Sequence, residues 1–270
     1  MKTKLRLCAA TAGQVGALAV VALVAYGLKR HYADASTDAL SWILTPTAHL
    51  VGLVTGVAFA AVPGEGYFSA ERMFLIEKAC AGVNFMIVAF AMVAFALLHR
   101  ARTVRHAAWI IAVSLLASYV AAVLVNTVRI VIAMWLSAHP MRWSSLTPAD
   151  IHRLEGITVY FGGLWLLYAL VQWIDRGGPA FRCALPLGCY YLVTLGLPLV
   201  NGAAGDAFLA HAAVVLIVPP VLIVLAYAAR RLFSPYPRRS VSAGSSVHAR
   251  RAGSHAAAAA TTSIAAAPNT

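Results

Sequence analysis

Charge is scarce in this sequence. Asp, Glu, Lys and Arg make up 11% of the 270 residues, against about 25% in soluble domains. With 61% hydrophobic residues, so few charges cannot cover a water-facing surface, which excludes a soluble globular protein. The same apolar excess excludes disorder over most of the length. Strict polar–apolar alternation is missing too, which argues against an outer-membrane barrel. Cysteine is rare: Cys8, Cys80, Cys183 and Cys189 are too few for a disulfide framework, and no pair has metal-site spacing. A Gly-rich phosphate loop, a paired-carboxylate site and a zinc spacing are all wanting, so no cofactor and no metal is expected.

Acidic residues are the scarcest group, 9 against 21 Lys and Arg, for a net charge of +12. The placement of the basic residues speaks for membrane topology rather than nucleic acid. Arg230, Arg231, Arg238, Arg239, Arg250 and Arg251 cluster after residue 229 with no acid among them. Most of the others fill short gaps between apolar runs, where positive charge keeps loops in the cytoplasm.

Long apolar runs are what the chain does have. A spanning helix needs about 20 apolar residues. Seven runs meet or approach that: 7–28, 40–62, 82–98, 107–136, 156–174, 184–204 and 207–229. The expectation is therefore an all-α, polytopic transmembrane helical bundle of about seven spans over residues 1–229. A disordered basic C-terminal tail follows over 230–270. Six spans remain if the first run is a cleaved signal, although that run is longer than the usual signal core of about 7–15 residues. Eight require splitting the fourth run.

Basic loops set the orientation. Arg100, Arg102 and Arg105, then Arg176 and Arg182, then the tail fall on one side if the last five runs each cross once. That side is the cytoplasm. Residues 63–81, with Glu65, Glu71 and Glu77, and residues 137–155 fall opposite. Lys2, Lys4 and Arg6 conflict with this scheme if the first two runs both cross. Either the amino terminus breaks the rule or one of those runs does not span.

The same parity gathers chemistry on the outer face. Cys80 precedes the third run, Arg129 lies in the second half of the fourth, and His152 precedes the fifth. Cys80 stands at a helix start, where peptide dipoles favour thiolate over thiol, an effect a nearby cation strengthens. Gly82 leaves room for a substrate backbone. The bland alternative is a small buried apolar residue. Arg129 inside an apolar run needs a polar cavity or a partner, unless it snorkels to the interface. It suits stabilisation of a thiolate or an oxyanion, and Asn126, one turn earlier, suits orienting it. His152 can carry protons near neutral pH, or it is merely solvated. His49 and His211 sit inside apolar runs. Tyr160, Trp165, Tyr168 and Trp173 read as packing or interfacial anchors. Gly52-x-x-x-Gly56 permits close packing, and Pro219-Pro220 reads as a kink.

Three short motifs, in this order, resemble those of the exosortase/archaeosortase family of membrane-embedded cysteine transpeptidases. Ala79-Cys80-Ala81-Gly82-Val83 resembles the Ala-Cys-Ser-Gly-hydrophobic nucleophile motif, with Ala81 where the family usually has Ser. Asn126-Thr127-Val128-Arg129-Ile130 resembles its Asn-x-x-Arg motif. His152-x-x-x-Gly156 resembles its histidine motif. The resemblance covers roughly residues 40–175, and the short chain points to the small subfamilies such as exosortase K. It implies catalysis by Cys80, Arg129 and His152, with Gly82 and Asn126 in support and no metal or organic cofactor. The implied activity is cleavage, through a thioester, of C-terminal sorting signals of exported proteins. Such a signal is a short motif, often Pro-Glu-Pro, followed by a transmembrane helix and a basic end. Cutting is implied at the outer face of the inner membrane, with transfer to a glycan or lipid acceptor and no nucleic-acid partner. A small-solute transporter lined by Arg129, His49 and His211 and a non-catalytic envelope scaffold remain alternative readings.

Overall fold

The computed structural model describes residues 2–139, 147–175, 184–200, 202 and 205–232, and these are mostly helical. In chain order the elements are α1 (Lys2–Asp34), α2 (Ser41–Thr55), β1 (Ala60–Val62), β2 (Gly66–Ser69), β3 (Phe74–Ile76), α3 (Val83–Leu97), α4 (Val104–Ala138), α5 (Pro148–Asp175), α6 (Ala184–Tyr191), α7 (Leu197–Val200) and α8 (Asp206–Leu232). A π-helical stretch, Leu192–Gly196, joins α6 to α7. Met1–Ile223 form one compact unit that holds every residue of the site described below. A second unit begins at Val224, and its described part is the end of α8.

Four helical stretches are long and apolar enough to cross a membrane: Lys78–Arg100, Val104–Ala138, Asp150–Ile174 and Phe208–Ala229. They mark the chain as a membrane protein. The fourth expected run is one uninterrupted helix of 35 residues, not a split pair. Of the sixth, Leu185–Val200 is the apolar helical part among the described residues. The seventh runs unbroken through Pro219 and Pro220 to Leu232, past the expected boundary at 229. Residues 233–270, most of the expected tail, lie outside the described residues, as do Arg176, Arg182 and Cys183.

The second run departs most from expectation. Counted among the seven apolar runs over 40–62, it is one of the two for which the basic residues leave crossing open, and α2 is a helix of 15 residues, about 22 Å long at 1.5 Å per residue and short of a bilayer core of about 30 Å. Gly56 ends it by adopting φ +71, with its N–H bonded to the Gly52 carbonyl, a left-handed helix stop that glycine makes readily. Gly52 serves the same reversal, since a Cβ there would stand 3.0 Å from the Val57 carbonyl oxygen. The chain then enters a small antiparallel sheet in the order β1-β2-β3, with Ala60 opposite Phe68 and Phe68 opposite Leu75. This sheet is an addition to the all-α expectation.

Two sets of hydrogen bonds close this region on itself. The Asp38 carboxylate accepts the Gly64 N–H at 3.0 and 3.1 Å, so the chain that leaves at residue 38 has returned by residue 64. Lys78 Nζ donates to the carbonyls of Ala33 and Ala35 at 3.1 and 2.7 Å, which brings the start of α3 beside the end of α1. At the other end, Ala17 and Val21 of α1 pack in one cluster with Leu98, Ala107 and Ile110. α1 and α3 are therefore antiparallel neighbours, and residues 35–78 make no net crossing between them. Lys2, Lys4 and Arg6 head α1 at the end of the bundle that carries Arg100, Arg102 and Arg105. That placement removes the conflict in the sequence reading.

α3 is the hub. Its span is 78% buried, against 28%, 28% and 11% for the other three, so it packs apolar residues all round, as a central helix must. α1, α4, α5 and α6 pack around it. The outer helices turn large apolar side chains outward, among them Trp109, Leu116 and Leu124 of α4, Leu166 and Trp173 of α5, and Leu209 and Ile217 of α8. In water such faces would drive aggregation, whereas in lipid they are the expected surface.

Candidate active site

Cys80 closes a 3₁₀ turn, Lys78–Cys80, between the extended Glu77 and the α3 cap Gly82. The turn is tied to α1 by the two Lys78 bonds and by Tyr32, whose hydroxyl donates to the Lys78 carbonyl at 3.3 Å. Cys80 is partly buried, and its backbone N–H is bonded to the Glu77 carbonyl at 2.8 Å. Gly82 takes φ +71, and a Cβ on it would stand 3.1–3.3 Å from the Asn126 side chain. Its lack of a side chain serves Asn126 as well as the backbone reversal.

Asn126, fully buried on α4, joins the cysteine turn to α5. Its Nδ2 donates to the Cys80 carbonyl. Its Oδ1 accepts the Tyr160 hydroxyl hydrogen at 2.9 Å. Tyr160 in turn accepts from Arg129 Nη1 at 3.2 Å, and the guanidinium lies 5.1 Å from the Tyr160 ring centroid, within cation–π range. Phe85 of α3 stacks on the ring at 5.4 Å.

Arg129 points into the bundle. Its side chain is 12% exposed, which excludes snorkelling. Nη2 contacts His152 Nε2 at 3.1 Å, and Nε lies 3.8 Å from Glu155 Oε2. Gly156 makes the room, since a Cβ there would stand 3.1 Å from Arg129 Nε.

His152 sits inside α5, not in a loop ahead of it as the sequence reading placed it. Thr147 and Asp150 start the helix early with a reciprocal cap: Asp150 N–H donates to Thr147 Oγ1 at 3.2 Å, and Thr147 N–H to Asp150 Oδ2 at 3.1 Å. Such a capping box satisfies orphan backbone donors at a helix start, and proline, as at 148, is well suited to the first helical position. Helical phase then sets His152, Gly156 and Tyr160 on one face. Two members of the cluster were not anticipated. Tyr160 had been read as packing, and its spacing of eight from His152 was the signal. Glu155, with a side chain 5% exposed, lies 3.7 Å from His152 Nδ1. Its signal was an acid at the mouth of an apolar run.

A cavity of about 510 Å³ opens beside the cluster, with Arg129, His152, Tyr160, Lys29, Arg153 and His211 among a lining of mixed polar and apolar side chains. Cys80 is not part of its described lining and meets it through Asn126 and Tyr160. His49 lines a different cavity, of about 370 Å³, so it does not share a space with Arg129 and His211. Cys189 is buried in the core. The described residues hold no group of three His, Cys, Asp or Glu side chains fit for a metal ion.

A guanidinium, an imidazole, a carboxylate and a phenol thus meet behind a cysteine turn at one end of the bundle. The arrangement offers a nucleophile, donors for a developing anion and a proton carrier. Comparison with family models, curated proteins and solved structures finds no match for this chain.

Proposed function

We propose that this protein is an exosortase-like cysteine peptidase or transpeptidase of the cell inner membrane. It acts on exported proteins that end in a short motif, a transmembrane helix and a basic segment. The observation that carries the reading is the Arg129–His152 contact at 3.1 Å, tied through Tyr160 and Asn126 to the Cys80 backbone. Side chains of α4 and α5 share one polar network that ends on the backbone of the cysteine turn, and the motifs that suggested the family set its members.

The reaction runs in two halves. Cys80 Sγ, its proton passed to His152, attacks the scissile carbonyl carbon, and the C=O electrons move onto oxygen. Arg129 donates N–H groups to that oxyanion. Collapse of the intermediate breaks the C–N bond. His152 returns the proton to the leaving amine, leaving a thioester on Cys80. An acceptor hydroxyl or amine, or water, then loses its proton to His152 and attacks the thioester. Cys80 departs as thiolate and recovers the proton.

The site faces the exterior in this reading. α1 crosses, residues 35–78 return to the same side, and α3 and α4 cross in turn. Lys2, Lys4, Arg6, Arg100, Arg102 and Arg105 then all lie in the cytoplasm with the tail, in keeping with the positive-inside tendency. The outward apolar residues of α4, α5 and α8 meet lipid, and the glycan or lipid acceptor approaches from outside.

The test is co-expression with a reporter bearing a Pro-Glu-Pro motif, a transmembrane helix and a basic end, followed by size on a gel. Wild type shortens the reporter, and Cys80→Ala and Cys80→Ser leave it whole. Undiminished shortening by either variant overturns the reading.

A further inference from the structure

Glu155 has no task in the mechanism above, yet its surroundings are specific. Its side chain is 5% exposed, and neither carboxylate oxygen has a hydrogen-bond partner among the described residues. Burying an ionisable group without hydrogen bonds is costly, and each such group in a native structure calls for an explanation, a role in catalysis among them. Two neighbours are within 4 Å: His152 Nδ1 at 3.7 Å and Arg129 Nε at 3.8 Å from the same oxygen, Oε2.

The hydrogen inventory fixes how these three side chains relate. Arg129 Nη2 carries only donors, so in its contact with His152 Nε2 the imidazole supplies the lone pair. A neutral His152 must then carry its hydrogen on Nδ1, the nitrogen that faces Glu155. The Arg129 contact and the Glu155 contact thus select the same tautomer, and the Nε2 lone pair, held by Arg129 at rest, becomes the proton-accepting site once Nη2 yields it.

We propose that Glu155 is a positioning residue: it holds His152 in the Nδ1–H tautomer and retains Arg129 by ion pairing while the imidazole is charged. When His152 accepts the thiol proton on Nε2, both ring nitrogens become donors and the Arg129 Nη2 contact turns repulsive. The guanidinium's Nη2 is then released toward the substrate oxygen, while Glu155 faces both cations. Proton transfer and oxyanion stabilisation are coupled through one buried carboxylate. The coupling to catalysis rests on the peptidase reading. The tautomer does not.

The experiment has two arms. Nitrogen-15 NMR of histidine-labelled protein in detergent, with the His152 signals assigned by their loss in His152→Gln, reads the tautomer directly. The wild type is expected to show Nδ1–H, and Glu155→Gln a mixture of tautomers, because the ion pair that keeps Arg129 on Nε2 is lost with the carboxylate. A wild type protonated on Nε2, or a tautomer unchanged in Glu155→Gln, overturns the proposal. In the reporter assay Glu155→Gln is expected to lower kcat about tenfold or more at nearly unchanged KM, with partial recovery in Glu155→Asp. Full activity of Glu155→Gln, beside a dead Cys80→Ala, overturns the role of Glu155 alone. Activity in Cys80→Ala overturns the peptidase reading and leaves the NMR result standing. If Glu155→Gln does not fold, the same two readouts on Glu155→Asp decide.

Discussion

Arg129 occupies the space that a side chain at residue 156 would fill: a Cβ built on Gly156 would come within 3.1 Å of Arg129 Nε. One position on α5 therefore governs where the cation of α4 can stand. In Gly156→Ala the gain in helix propensity, up to about 1 kcal/mol, offsets the tight contact, and thermal stability stays near that of wild type. The guanidinium shifts, and processing of the reporter falls about tenfold to a hundredfold. Melting curves in detergent beside the gel assay check both halves of this expectation.

Asn126 is the joint between the cysteine turn and α5. Asn126→Ala leaves the Cys80 carbonyl and the Tyr160 hydroxyl without their partner, and each unsatisfied buried group costs about 1–3 kcal/mol. The variant is expected to melt well below wild type and to lose processing. Asn126→Asp removes the donor to Cys80 while keeping an acceptor for Tyr160, so its stability falls between the two.

Arg129→Lys separates charge from shape. A lysine keeps the positive charge but not the planar fork, and it cannot serve Tyr160 and His152 along the directions Arg129 uses. Processing is expected to drop to background while the protein remains in the membrane fraction. Activity near wild type would show that a point charge suffices.

Topology gives a prediction independent of chemistry. Single cysteines placed at Glu65 and at Ser36, in a background with Cys8, Cys80, Cys183 and Cys189 all replaced by Ala, are expected to react with an impermeant thiol reagent on intact cells. A cysteine at Arg102 is expected to react only after the membrane is opened. Labelling of positions 36 and 65 from opposite sides would overturn the closed return of residues 35–78.

The sequence made the helical bundle legible because apolar runs are a composition signal that survives any packing arrangement. It gathered Cys80, Arg129 and His152 at one end by parity alone, and Asn126 followed from its place one turn before Arg129. Residues 40–62 were misread because hydropathy does not register a left-handed stop at Gly56, nor an Asp38–Gly64 tie across 26 residues. The start of α5 was missed although Thr147, Pro148 and Asp150 carry a cap signature, because the apolar pattern begins only at Gly156. Glu155 and Tyr160 were passed over for a different reason. Their role depends on the approach of α4 to α5, a tertiary fact that spacing within α5 cannot state.

The most direct measurement is mass spectrometry of Cys80 itself. Wild-type membranes making the reporter are quenched in acid, digested, and split into samples with and without neutral hydroxylamine. The account predicts a Cys80 peptide carrying the reporter's new C-terminal residues, removed by hydroxylamine as a thioester is. Reporter cleavage in the same membranes with Cys80 unmodified, and continuing in Cys80→Ala, would contradict it.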